Sequence, residues 1–175
     1  GDPLAGFATT VVPNPLGTDG DGFAFNALAI LAGDAVLAGG GGGDLTVARF
    51  TSAGALDASF GTGGLVTFNY FSFDTADGSS DSADAISDLL VLGDGRTLIA
   101  GQAVAGGTRA VLARLTAAGA LDTTFGSGGY AALADTSSNG PATGLGVRPS
   151  GDIVLSGSGF KPVQVSPNGL AQSPL

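Results

Sequence analysis

Asp57 and Asp122 each stand eight residues after an arginine, Arg49 and Arg114. Two carboxylates in one chain could divide general-acid and general-base work, with a nearby guanidinium holding one of them ionised. The surroundings speak against that chemistry. Residues 47–65 read VARFTSAGALDASFGTGGL and residues 112–130 read LARLTAAGALDTTFGSGGY, with twelve of nineteen positions identical. A catalytic pair would break the symmetry of such a repeat rather than follow it. Each Asp is therefore expected to accept backbone amides within a turn and to pair with its Arg across a hairpin. Phe60 and Phe125 are expected to plug the space between units, and Gly61 and Gly126 to permit the turn.

Two other stretches could carry chemistry. Residues 74–88, DTADGSSDSADAISD, hold five Asp in fifteen positions. Oxygen-rich loops bind Ca²⁺, which makes Asp77, Asp81, Asp84 and Asp88 the candidate ligands. The EF-hand order fails because no Glu closes the loop, so a solvated insertion is the plainer expectation, as it is for Asp19-Gly20-Asp21-Gly22. Just upstream, Phe68, Tyr70, Phe71 and Phe73 place four of twelve aromatic residues within six positions. Strand alternation sets Phe71 and Phe73 on one face, Phe68 and Tyr70 on the other. Core packing and an exposed aromatic interface are both open readings of that run. Gly39 to Gly43 is no phosphate loop, since no Lys follows and no helix opens.

Composition narrows the function classes further. The 175-residue chain contains no Cys, His, Met or Trp, and its fifteen acidic residues are all Asp. No disulfide can form, and no thiol or imidazole can ligate a metal. Without His, Cys or Glu, an enzyme would need an all-Asp mechanism, and we expect none. Six basic residues against fifteen acidic ones give a net charge of −9, which repels phosphate backbones and argues against nucleic acid as a partner. Glycine, at 32 copies, suits short strands joined by tight turns, while the 43% apolar content argues against disorder. No run approaches the ~20 apolar residues of a membrane-spanning helix. The start Gly1-Asp2-Pro3, lacking Met, is read as the trace of a removed export signal.

The elements that position these residues recur three times. Ala35–Gly39 aligns with Thr97–Gly101 and with Ile153–Gly157, each preceded by a Gly-Asp turn and an apolar run. Each unit thus predicts four short antiparallel strands, over approximately 23–70, 83–134 and 140–175. The third signature decays after Val163. Residues 6–12 look like a fourth strand displaced to the front of the chain, and are expected to complete the third unit.

The Leu-Asp-x-x-Phe-Gly-x-Gly-Gly signature, following Ala-Arg-[Phe/Leu]-x-x-x-Gly and Gly-Asp-Gly-Arg-Thr-Leu-Ile-Ala-Gly, resembles the delta-60 repeat. That resemblance implies a β-propeller-type fold in an exported bacterial protein, periplasmic or at the cell surface, and carries no catalytic residues over. The fold class expected is all-β, with about three four-stranded antiparallel blades in a small or partial propeller. Four to eight blades make an ordinary propeller. A partial fan, a three-unit ring and a ring completed by another chain, including a homo-oligomer, are therefore all open. The function expected is that of an accessory subunit docking on a larger protein complex, without cofactor. A glycan- or Ca²⁺-binding module and an Asp-dependent hydrolase are the alternatives.

Overall fold

The computed structural model describes residues 24–33, 36–41, 44–68, 84–104, 107–131, 133, 140–170 and 172–175. Among them every regular element is a strand, and the strands form three antiparallel sheets. The first sheet runs β1 (Ala24–Ile30), β2 (Val36–Gly41), β3 (Leu45–Phe50) and β4 (Leu65–Phe68) in that order. The second holds β5 (Ala85–Val91), β6 (Thr97–Val104) and β7 (Thr108–Leu115). The third comprises β8 (Ala142–Val147), β9 (Ile153–Gly157), β10 (Val163–Val165) and β11 (Gln172–Pro174). All are meanders, as strands joined by short Gly-rich turns must be.

The sheets stack face to face, with the leading strands β1, β5 and β8 side by side. Two apolar layers result. One, between the first and second sheets, contains Leu45, Val47, Phe60, Ile86, Leu89, Ile99 and Val111. The other, between the second and third, contains Leu98, Leu112, Phe125, Ile153, Leu155 and Val165. The middle sheet is covered on both faces. Its β6 and β7 therefore read as nearly unbroken apolar runs, TLIAGQAV and TRAVLARL, instead of alternating with polar residues.

A feature hidden from the sequence recurs in every unit. The leading strand bulges between Phe25 and Ala27, between Ile86 and Asp88, and between Ala142 and Gly144. Opposite each bulge stands a glycine: Gly40, Gly101 and Gly157. A Cβ there would run into the carbonyl of Ala24, Ala85 or Pro141. This glycine fixes the register between units. Val36 occupies the place of Thr97, since Ile30 faces Val36 as Val91 faces Thr97. The segment equivalent to Thr97–Gly101 is thus 36–40, one residue on from the alignment that composition suggests.

The fourth strands differ among units. β4 pairs with β3 over four residues. Among the described residues of the second unit, one bridge pairs Ala113 with Tyr130, and the Ala131 amide donates to the Leu112 carbonyl. In the third unit β11 occupies the fourth position, beside β10. Residues 6–12, expected in that position, lie outside the described residues.

Candidate functional site

Among the described residues, charge gathers at two equivalent stations at the junctions between units. In the first, β3 carries Arg49, and the turn after it carries Asp57, Ser59 and Phe60. The Arg49 Nε donates to Asp57 Oδ2 at 2.8 Å, and one terminal nitrogen donates to Ser59 Oγ at 2.8 Å. Asp57 Oδ1 accepts the Ser59 amide and hydroxyl, at 3.0 and 2.6 Å. The guanidinium lies 4.7 Å from the Phe60 ring centre, a cation–π distance.

The second station repeats this on β7. Arg114 Nε donates to Asp122 Oδ2 at 2.8 Å, Asp122 Oδ1 accepts the Thr124 amide and hydroxyl, and the guanidinium sits 4.5 Å from Phe125. Its charges are deeper, with side chains 6% and 8% exposed against 15% and 26% in the first. It also draws in Arg96, which bridges Asp94 at 2.6 Å and reaches Asp122 at 3.4 Å. Sequence reasoning passed over Arg96, because the first unit has Ala35 at the corresponding place and no repeat marks it.

Each station grips the following unit. The remaining terminal nitrogen of Arg49 donates to the Ala117 carbonyl at 2.8 Å, and that of Arg114 to the Pro167 carbonyl at 2.9 Å. The amides of Gly61 and Gly126 donate to the carbonyls of Ala118 and Asn168, at 2.8 and 2.7 Å. Gly61 and Gly126 take φ of 55° and 54°, and a Cβ on either would strike the carbonyl of Leu65 or Tyr130. Gly119 and Gly169, at the tips of the gripped turns, lie against the rings of Phe60 and Phe125 with no space for a Cβ.

The local fields follow from these contacts. The Thr124 hydroxyl and amide, with Arg114, hold the Asp122 carboxyl down at about 2 against an ordinary 3.8. Asp57 is lowered in the same way, chiefly by the Ser59 hydroxyl and then by its amide and Arg49. Asp94 is lowered by Arg96, whose own pKa is raised by Asp94. A depressed Asp pKa stabilises the fold above the unfolded value, and that stabilisation is lost as pH falls through the folded one. The thermal midpoint of the native protein should therefore drop on acidification from pH 3.8 toward pH 2. Asp122→Asn should start lower and show a flatter profile in that window, measured by circular dichroism.

The other candidates fall into two groups. Asp84, buried, accepts the Val104 amide at 2.8 Å and ties the entry of β5 to the end of β6. Asp88 accepts the Leu89 amide with one oxygen and the Leu145 amide with the other, both at 2.9 Å, so it links β5 to β8. Asp77 and Asp81 lie outside the described residues. Among the described residues no group of three or more acidic side chains is placed to share a metal ion. Phe68 is 8% exposed and faces Tyr130 at 6.4 Å within the first apolar layer. Tyr70, Phe71 and Phe73 lie outside the described residues. An open groove of about 610 Å³ beside β4, lined by Thr62, Leu65, Val66, Thr67 and Ala120 among others, offers no titratable group.

Stacked meanders of three and four strands, joined through their leading strands and by one repeated clasp, define a β-propeller-type repeat protein. Residues 30–60 and 92–125 match the protein family described as a domain of unknown function (DUF5122) beta-propeller. Both matched segments end at or beside the Phe-Gly of a station. No curated protein matches the chain. Among the described residues no helix is long and apolar enough to cross a membrane.

Proposed function

We propose that this chain is a non-catalytic interaction module, an exported accessory subunit that docks on a larger protein assembly. The observation that carries the reading is the use made of the Arg–Asp stations. Every carboxylate oxygen in them accepts a hydrogen bond from within the protein, and each Arg reaches across to the next unit's backbone. The residues best suited to acid–base work thus serve as mortar. The resemblance to the delta-60 repeat supplies the exported setting.

The docking patch is assigned to Tyr70, Phe71 and Phe73, since aromatic residues concentrate at interface centres. Phe68 is left out of it because it packs in the core. Replacing Tyr70, Phe71 and Phe73 together by Ser should weaken capture of the native complex by at least about tenfold while leaving the unfolding midpoint within a few degrees. Size-exclusion chromatography of gently lysed source cells reads the first, circular dichroism the second. Undiminished co-elution would remove the patch from the proposal, and a free monomer in the unaltered protein would remove the accessory-subunit reading.

A further inference from the structure

We propose that Asn168 is a self-modification site that the second clasp holds shut. It deamidates through attack by the Gly169 nitrogen when the third unit's turn opens, and its isoaspartyl product keeps that turn from reseating. The place is set by the repeat. The turn gripped by a station reads Thr116-Ala117-Ala118-Gly119 in the second unit and Ser166-Pro167-Asn168-Gly169 in the third. From the third position of the turn the clasp takes only a main-chain carbonyl, that of Ala118 for the Gly61 amide and that of Asn168 for the Gly126 amide. Alanine meets that need, so the side-chain amide of Asn168 is additional chemistry. Asn is a thermolabile residue. The glycine after it leaves the attacking nitrogen unhindered, having no side chain beside it.

The reaction is a ring closure followed by hydrolysis. The Gly169 nitrogen loses its proton and bonds to Asn168 Cγ, and the side-chain nitrogen leaves as ammonia. Water then opens the succinimide at one of its two carbonyls, giving aspartate or isoaspartate. The sum is amide plus water to carboxylate plus ammonium. In isoaspartate the chain runs through Cβ and Cγ, one carbon longer, and the carbonyl that served the Gly126 amide becomes a free carboxylate on a branch.

In the closed turn both reacting groups are engaged. Water reaches Asn168, but the Gly169 amide donates its proton to the Ser166 carbonyl at 2.8 Å. Asn168 Oδ1 accepts the Ser166 hydroxyl at 2.6 Å and the Leu170 amide at 3.2 Å. The clasp holds the main chain on either side, with Arg114 donating to the Pro167 carbonyl at 2.9 Å and Gly126 to that of Asn168 at 2.7 Å. Ring closure needs a bare Gly169 nitrogen and a carboxamide free to swing onto it, so it requires local opening. The turn is packed too closely to take the longer chain back. Even a Cβ on Gly169 would come within 2.8 Å of the Phe125 ring and 2.9 Å of the Gly126 nitrogen. Chemical change in the open state thus makes the opening irreversible.

This inference is independent of the interaction-module reading, so neither falls with the other. The test ages the chain in mildly alkaline buffer and follows Asn168 by peptide mass spectrometry, with an isoaspartyl methyltransferase telling isoaspartate from aspartate. An Asn139→Gln background removes the other Asn-Gly pair of the sequence. Conversion in the folded chain should run at least about tenfold slower than in guanidinium chloride. Phe125→Ala should accelerate it, and Asp57→Ala, at the other station, should leave it unchanged. Should Phe125→Ala not fold, Arg114→Lys takes its place, since a lysine cannot reproduce the guanidinium's fork of hydrogen bonds. Equal rates in the folded and unfolded chains overturn the proposal, as does equal acceleration from the two stations or none from the second. The isoaspartyl chain, aged unfolded and then refolded, should exchange its Val163 and Val165 amides faster than N168D, which keeps the main-chain length and an oxygen for the Leu170 amide. Equal exchange in those two would show that the turn reseats, and overturns the irreversibility.

Discussion

Asp122→Ala should lower the free energy of unfolding by about 3–5 kcal/mol, the range for removing one partner of a buried ion pair. Its removal takes the carboxylate from Arg114, whose side chain is 6% exposed, and from Arg96 and Thr124 as well. Arg114 keeps the Pro167 carbonyl, the Thr124 hydroxyl and the face of the Phe125 ring. Asp57→Ala removes the equivalent group from a station that water reaches more readily, so its cost should be clearly smaller. Urea titration of both variants, at constant slope, measures the difference. A double-mutant cycle on Arg114 and Asp122 should return a coupling of at least about 1 kcal/mol. Equal costs for the two Asp variants would mean that burial does not set the strength of these stations.

Phe125→Ala should cost about 3–5 kcal/mol, in the manner of a large-to-small change in a packed core. The ring is fully buried, lies beneath the Arg114 guanidinium and touches the Gly169 turn of the third unit. Little nearby can collapse into the space, because Gly169 has no side chain and its turn is held by the Gly126 amide. The third unit should loosen first. Amide exchange at Val163 and Val165 should accelerate more than exchange at Leu45 and Val47 in the first unit. Uniform acceleration would show instead that the three units open as one.

The all-β class was legible because its causes are local. Glycine, Asp and Ser punctuate short apolar runs, and the unit repeats closely enough to be counted. The register was not. Five successive glycines, Gly39 to Gly43, look alike on paper, and only the approach of the Ala24 carbonyl singles out Gly40 as the one facing the bulge. At the stations, the Arg and Asp spacing is visible in the sequence. That the arginine's far nitrogen reaches a carbonyl in the next unit is not, because a main-chain acceptor leaves no mark on residue identity.

The clasp has a consequence for how such a chain lengthens. Arg49 reaches 68 residues ahead and Arg114 reaches 53, and among the described residues neither station engages anything more distant. Loop-closure entropy grows only with the logarithm of the span, and here the span is set by one unit, not by the whole molecule. Duplicating a unit therefore adds a layer of core and a clasp without adding a longer loop to close. A tandem duplication carrying both halves of the clasp brings its own junction with it and closes no loop longer than about one unit.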